Sequence, residues 1–509
     1  MSKRRELDWA IAVLAIAMIA LGLHHLLALN AGLTISREHI GRTQITIFRK
    51  THGAPAPVIV IAHGFSGSQQ LMQPFAVTLA RNGYTAITFD FLGHGRNPTP
   101  LPAGLTDQAE SARALLEQLG EVVAIARRLP FSDGRLALLG HSMASDIVVS
   151  YAKAHPEVDA TVTVSMFSPG ATATSPRNLL VIVGALEPAM IKNEAIRVAR
   201  EAGGDLAREG VTYGDFSAGA ARRAALARGV EHIGVLYSAD SMNEALAWLN
   251  ATFYRQGAGF IDQRGPWLGV LFVGLIAIAR PLARLLPQAA AAPVGAAPSW
   301  RLLLPLAIGP AILTPLILWK APTGFVPLIL GDYLVVHFGL YGFLTGAGLW
   351  LLQRKAVPAP GPVSKPKIAI GALLVALYAI GAIGLPLDWF VTSYFPGLQR
   401  APIALVLLCG TLPFFIADEY ATRGPHARRG AYALTKFCFL LSLALAVALN
   451  LNKLFFLIII APVILIFFLV YGLISGWTYA RVNHPLVGAL ALAAAFAWSI
   501  AVTFPVVSG

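Results

Sequence analysis

The chain has 509 residues, 56% of them hydrophobic and only 13% charged, with 39 Lys and Arg against 26 Asp and Glu. An ordinary soluble domain carries about 25% charged residues. The basic surplus falls almost wholly in the oily parts of the chain, while the stretch from about residue 30 to 265 is close to neutral. Lys and Arg flanking membrane spans account for that split. A nucleic-acid partner, which would need the surplus on a polar face, is not expected.

The chain opens "MSKRRELDWAIAVLAIAMIALGLHHLLALNAGL". Three basic residues precede an apolar run that continues to about Leu33. A cleaved signal peptide has an apolar core of roughly 7–15 residues and a small-residue cleavage site. This run is longer and lacks such a site, so residues 1–33 are expected to be an uncleaved transmembrane anchor. From residue 34 to 265 strand and helix signals alternate. Apolar strands are expected in "RTQITIFRK", "APVIVIAHG", "YTAITFDFLG", "RLALLGH", "ATVTVSM" and "NLLVIVG", with helices near 70–82, 107–129, 143–154 and 189–203. Strands apolar throughout and alternating with helices predict an α/β fold with a mostly parallel sheet covered on both faces.

Residues 266–509 read as an all-α bundle of about eight further spans: 267–286, 302–319, 324–352, 368–387, 401–418, 432–450, 454–477 and 485–507. Each is near the ~20 residues a helix needs to cross a bilayer. Alternate loops carry Arg280, Arg284 and Arg301; Arg354, Lys355, Lys365 and Lys367; Arg423, Arg428 and Arg429; and Arg481. The opposite loops carry Lys320, Arg400 and Lys453. This asymmetry predicts a cytoplasmic N-terminus and an extracytoplasmic domain at 34–265. Asp332, Tyr333, His337 and Tyr341 fall at membrane depth. They read either as interhelical hydrogen-bonding groups or as a functional polar path. Asp418 and Glu419 fall at the end of a span, where solvated carboxylates are expected. Cys409 and Cys438 lie in apolar runs and read as packing residues.

The chemistry-bearing stretch is Gly140-His141-Ser142-Met143-Ala144. It matches G-x-S-x-G with Ala in the last place, and small residues on either side of the serine suit a tight strand-to-helix turn. Such a turn lifts the Ser142 hydroxyl above the sheet and aims the Met143 amide where an oxyanion forms. The alternative is a serine that only caps the following helix. Upstream, "VIVIAHGFSGS" ends a strand at His63-Gly64-Phe65, a loop of the kind that supplies the second oxyanion donor, here the Phe65 amide. Next comes "GYTAITFDFLGHGRN", a strand ending at Asp90 with a glycine turn.

In this order the segments resemble the α/β-hydrolase superfamily, over roughly residues 34–255. The resemblance implies an acid and then a histidine after the serine. "NLLVIVGALEP" offers Glu187, and "RRAALARGVEH" offers His232. Glu in place of the commoner Asp and Ala144 in place of Gly are departures, and Asp205 and Asp215 are the other candidate acids. His63, His94, His141 and Asp90 fall in turns that the family uses structurally. Only about a dozen residues separate "ATVTVSM" from "NLLVIVG", where many members of the family insert a cap, too few for a cap domain.

The resemblance thus implies a catalytic set of Ser142, Glu187 and His232 with oxyanion donors Phe65 and Met143. The expected activity is serine hydrolysis of an ester with an acyl or lipid-like body. An acyltransferase with the same residues, or a transporter or scaffold with a non-catalytic hydrolase-like domain, are the alternatives. No P-loop, dinucleotide fingerprint or H-E-x-x-H is present, and no cofactor or metal is expected.

Overall fold

A computed structural model describes residues 3–104, 107–296, 298–353 and 362–508. Arg354 and Lys355, used above for orientation, lie outside the described residues. The chain divides into two compact units. One comprises Leu21–Gly269, Leu387–Pro396 and Pro505–Gly509; the other Met1–Ala20, Val270–Pro386 and Gly397–Phe504.

The first unit is built on a nine-stranded sheet in the order β1-β2-β4-β3-β5-β6-β7-β9-β8. Its strands are β1 (Leu33–Ile40), β2 (Thr43–Lys50), β3 (Ala56–Ala62), β4 (Thr85–Phe89), β5 (Ser132–His141), β6 (Ala160–Val164), β7 (Leu179–Gly184), β8 (Thr212–Tyr213) and β9 (Arg222–Ala227). From β4 through β9 every pairing is parallel. The β1–β2 and β2–β4 pairings and the short β8 edge are antiparallel. β1 has no continuous apolar run: with no residue buried, "LTISREHI" is held by its register with β2 rather than by burial.

Helix α1 (Lys3–Ala28) precedes the sheet. α2 (Gln73–Arg81), α3 (Gln108–Arg128), α4 (Met143–Ala154), α5 (Ala189–Gly203) and α6 (Ala239–Phe253) follow within it. The boundaries have local causes. The Asp107 carboxylate accepts from the free amides of Ala109 and Glu110 to start α3, and Pro74 sits in the first turn of α2, where a missing N–H costs nothing. Alternate residues of one strand serve opposite cores. Leu180 and Ile182 of β7 join Phe75 of α2 and Leu249 of α6. Leu179, Val181 and Val183 join Val149 of α4 and Val198 of α5. Both faces are therefore covered, as fully apolar parallel strands require. Residues 165–178, between β6 and β7, contain no helix or strand. No cap domain is inserted there.

The second unit is helical. The helices from residue 264 on, all in this unit except residues 264–269 of α7 and 387–390 of α11, are α7 (Arg264–Ala283), α8 (Trp300–Leu318), α9 (Gly331–Gln353), α10 (Lys365–Leu377), α11 (Gly384–Phe390), α12 (Ala401–Thr422), α13 (Ala431–Leu449), α14 (Leu451–Leu454), α15 (Leu457–Val482) and α16 (Pro485–Thr503). Among the described residues nine helical stretches are long and apolar enough to cross a membrane, the first being Arg5–Ala28. This is compatible with a multi-pass membrane protein. α12 packs against α9 and α16. Gly410 of α12 backs directly onto the Val335 carbonyl and Gly342 of α9 onto the Phe414 backbone, so neither position has room for a side chain. Small residues allow this close approach where no hydrophobic effect drives helices together.

His337 bridges Tyr333 (3.2 Å) and Ser442 of α13 (3.1 Å), and the Tyr341 hydroxyl donates to the Ala307 carbonyl (3.1 Å). Asp332 lies 3.4 Å from Lys453. Three of these are ties between helices, the first of the two readings above. Asp418 and Glu419 differ from expectation: both are buried. The helix runs on to Thr422, one turn beyond the expected end at 418, and draws both carboxylates inside. There Asp418 pairs with Lys436 and accepts from Thr435 (2.7 Å), while Glu419 accepts from Ser475 and Arg423. Charges this deep persist only when paired.

Candidate active site

The site is assembled at the carboxyl ends of the parallel strands, where α/β sheets place their ligands. β5 ends at His141 and α4 begins at Met143, leaving Ser142 alone on the corner. Its backbone sits at φ 52°, ψ −117°. Such a conformation costs a non-glycine residue on the order of 1–3 kcal/mol. Three bonds hold it there: Ser142 N–H donates to the Val164 carbonyl (2.8 Å), and the Ser145 amide (2.9 Å) and hydroxyl both donate to the Ser142 carbonyl. The corner also explains its small neighbours. A Cβ on Gly140 would stand 2.5 Å from the Ala144 carbonyl oxygen and 2.8 Å from Val148 Cγ2. Ala144 itself is fully buried.

Glu187 follows β7 and His232 follows β9, on loops that touch: a Cβ on Gly184 would lie 2.5 Å from the Val230 carbonyl oxygen. The Ser142 hydroxyl donates to His232 Nε2 at 2.9 Å, and His232 Nδ1–H donates to Glu187 Oε2 at 2.7 Å. One tautomer satisfies both bonds, because the carboxylate can only accept. The Glu187 side chain is buried, and its second oxygen is also occupied. Oε1 accepts from Gly184 N–H (2.8 Å) and from the Ser165 hydroxyl (2.6 Å). The extra methylene of Glu relative to Asp is thus tied down at its far end.

Ser165 was not singled out in the sequence. It is buried just after β6 in a left-handed conformation (φ 58°), with its amide bonded to the Ile182 carbonyl. Nothing in "VSMFSPG" marks it; only the pairing of β6 with β7 brings it to Glu187.

The loop after β3 lies against the same corner, since a Cβ on Gly64 would fall 2.9 Å from Ser142 Cβ. This brings the Phe65 segment beside Ser142, with Met143 opening α4 on the other side. Asp205 and Asp215 are elsewhere, both exposed; the Asp215 carboxylate caps Ser217. Asp90 braces its own turn, accepting from Gln69 N–H (2.7 Å) and Arg96 N–H (2.9 Å).

Two further imidazoles support the loops. His141 Nε2–H donates to the His232 carbonyl (3.0 Å), which leaves Nδ1 bare and buried without a partner among the described residues. Burial, with a smaller contribution from nearby His232, holds His141 well below the usual histidine range. His63 donates from Nδ1 to the Gly64 carbonyl (2.8 Å) and accepts the Phe91 amide at Nε2 (3.0 Å). Burial lowers it too, opposed in part by Asp90. On the rim, Phe167, Leu186 and Met190 are 52%, 67% and 53% exposed, on the segments that carry Ser165 and Glu187.

The sheet order, the serine corner and helices on both faces define an α/β-hydrolase domain, carried on a chain rich in apolar helices. Residues 53–196 match the family model "Serine aminopeptidase, S33". Two uncharacterized proteins of Mycobacterium tuberculosis, from strains CDC 1551 / Oshkosh and ATCC 25618 / H37Rv, are each 27% identical over 110 residues. The match covers 21% of this chain and 36% of each relative, so the chain spans about a third of their length. Among solved structures, a membrane phospholipase A described as a novel bacterial virulence factor is similar at 15% identity and TM-score 0.32, covering 49% of this chain and 99% of that one. Epoxide hydrolase VrEH1 from Vigna radiata is similar at 13% identity and TM-score 0.32, covering 43% and 99%.

Proposed function

We propose that the protein is an integral-membrane serine hydrolase that cleaves an ester with an acyl or lipid-like body. The observation that carries this reading is the continuous relay from the Ser142 hydroxyl through His232 to Glu187, at 2.9 and 2.7 Å. In this reading Ser142 Oγ attacks the acyl carbon while His232 Nε2 takes its proton. The oxyanion so formed is held by the Met143 and Phe65 amides, each such donor being worth roughly 2.7–4 kcal/mol. His232 then returns the proton to the departing alcohol, and Glu187 stabilises the transient imidazolium. Water, deprotonated by the same imidazole, releases the acid. The exposed apolar rim of Phe167, Leu186 and Met190 suits an apolar acyl body, and the absence of an inserted cap between β6 and β7 leaves that rim uncovered by its own domain. The asymmetry of the loop charges supports an extracytoplasmic position for this domain.

The test is labelling of membranes containing the full chain with a fluorophosphonate probe, then turnover of a panel of esters of increasing chain length. Wild type should label and Ser142→Ala should not, with turnover favouring the longer acyl chains. Equal labelling of the two, or preference for short soluble esters, would refute the reading. Amide cleavage is a second reading, favoured by the match to the serine aminopeptidase model over 53–196. It predicts faster turnover of aminoacyl amides than of any ester in the panel.

A further inference from the structure

A second concave site lies within the same unit, on the β1–β2–β4 side of the sheet. It is a cavity of about 400 Å³ whose lining includes Asn30, Arg37, Gln70, Arg96 and Asp388, with Leu27 and Trp389 at its apolar edge. Its hydrogen-bonding groups are unevenly spent. Its carboxylate and the three glutamine oxygens are taken. Asp388 Oδ2 receives Arg96 (2.6 Å) and Oδ1 receives the Tyr394 and Phe395 amides. Gln70 Oε1 receives the Ser393 hydroxyl, Gln69 Oε1 that of Thr46, and Gln73 Oε1 the Arg264 guanidinium.

The donors are not. The Arg37 guanidinium, the Nε and Nη1 groups of Arg96, and the amide of the buried Gln70 have no protein acceptor among the described residues. Two arginines against one aspartate leave the lining with a net positive charge. A cavity whose guanidinium donors are unspent while its carboxylate is already paired selects an anion.

Its position says which anion. Leu27 lies in the last turn of the candidate span Arg5–Ala28, and Trp389 in the last turn of the span Lys365–Phe390. Both are half-exposed, at 55% and 49%. A tryptophan at a span end marks the level of the lipid headgroups. We propose that this cavity binds the anionic headgroup of a membrane lipid, with Arg37, Arg96 and Gln70 donating to the phosphate and Leu27 and Trp389 against the start of the acyl chains. The site is separate from Ser142, so it does not depend on the catalytic reading.

The full chain, purified in a neutral detergent, is titrated with phosphatidylglycerol, with phosphatidylcholine of the same acyl chains, and with inorganic phosphate. Retained lipid is read by native mass spectrometry and protection by thermal melting. Phosphatidylglycerol should bind about tenfold more tightly than phosphatidylcholine. Arg37→Glu should abolish that preference, and Arg37→Gln should reduce it. Arg37 is exposed on an edge strand with no protein partner among the described residues, and an unchanged melting temperature without lipid verifies that the variants fold. The chain carries many other basic residues, so the contrast between wild type and the Arg37 variants is the deciding readout. Equal binding of the two lipids, an unchanged preference in Arg37→Glu, or inorganic phosphate protecting as well as phosphatidylglycerol would each overturn the proposal.

Discussion

Ser165 offers the sharpest test of how the candidate site is held. Its hydroxyl and the Gly184 amide are the two donors to Glu187 Oε1, at 2.6 and 2.8 Å, and they aim Oε2 at His232. A hydrogen bond to a charged group is worth about 1.5–3 kcal/mol. If that is lost from the transition state, where the imidazolium needs an oriented carboxylate, Ser165→Ala lowers kcat by about 10- to 150-fold. Ser165 does not face the substrate, so KM should stay within about twofold. The backbone here is left-handed (φ 58°), so Ser165→Gly serves as the control, since glycine relieves any strain yet also lacks the hydroxyl. Both variants should slow by similar factors, measured as kcat and KM on the best ester of the panel and as the rate of fluorophosphonate labelling. An unchanged kcat in Ser165→Ala, or wild-type kcat in Ser165→Gly, would refute the positioning role.

Acid should destabilise the hydrolase unit through His141 and His63, both buried and held below their ordinary value. A base whose folded pKa is depressed binds its proton in the unfolded chain first, so stability falls as pH drops below about 6.5, by up to ~1.4 kcal/mol per pH unit for each imidazole. Denaturant melts between pH 7.5 and 5 read this directly, and a flat profile would count against it. In the helical unit, Lys436→Met strands the Asp418 carboxylate in an apolar interior and should cost about 3–5 kcal/mol. Adding Asp418→Leu should restore much of the loss, because the apolar pair carries no desolvation penalty. Thermal melts in detergent that show simple additivity of the two substitutions would contradict the pairing.

Much of this protein was legible in one dimension because the relevant signals are local. Strands such as "PVIVIA" and "LLVIVG" are apolar at every position, which only a sheet covered on both faces tolerates. α4 and α5 begin and end where their periodicity and flanking residues place them, at 143–154 and 189–203. Gly140, Ser142 and Ala144 sit within five residues, so the serine corner could be read from its own sterics. Apolar length alone picked out the candidate spans. β1 escaped notice because edge pairing supplies what burial does not.

What the linear order left open was everything that depends on which strands are neighbours. Glu187 and His232 are 45 residues apart and meet because β7 pairs with β9, and Ser165 reaches Glu187 because β6 pairs with β7. The charges of Asp418 and Glu419 looked solvated until one more helical turn drew them inside against Lys436 and Arg423. The cavity at Arg37 joins residues more than 300 positions apart. Periodicity and turn sterics act over a few residues and are written in sequence; hydrogen-bond partners and burial are set by chain segments arriving from far away, and only the packed structure decides them.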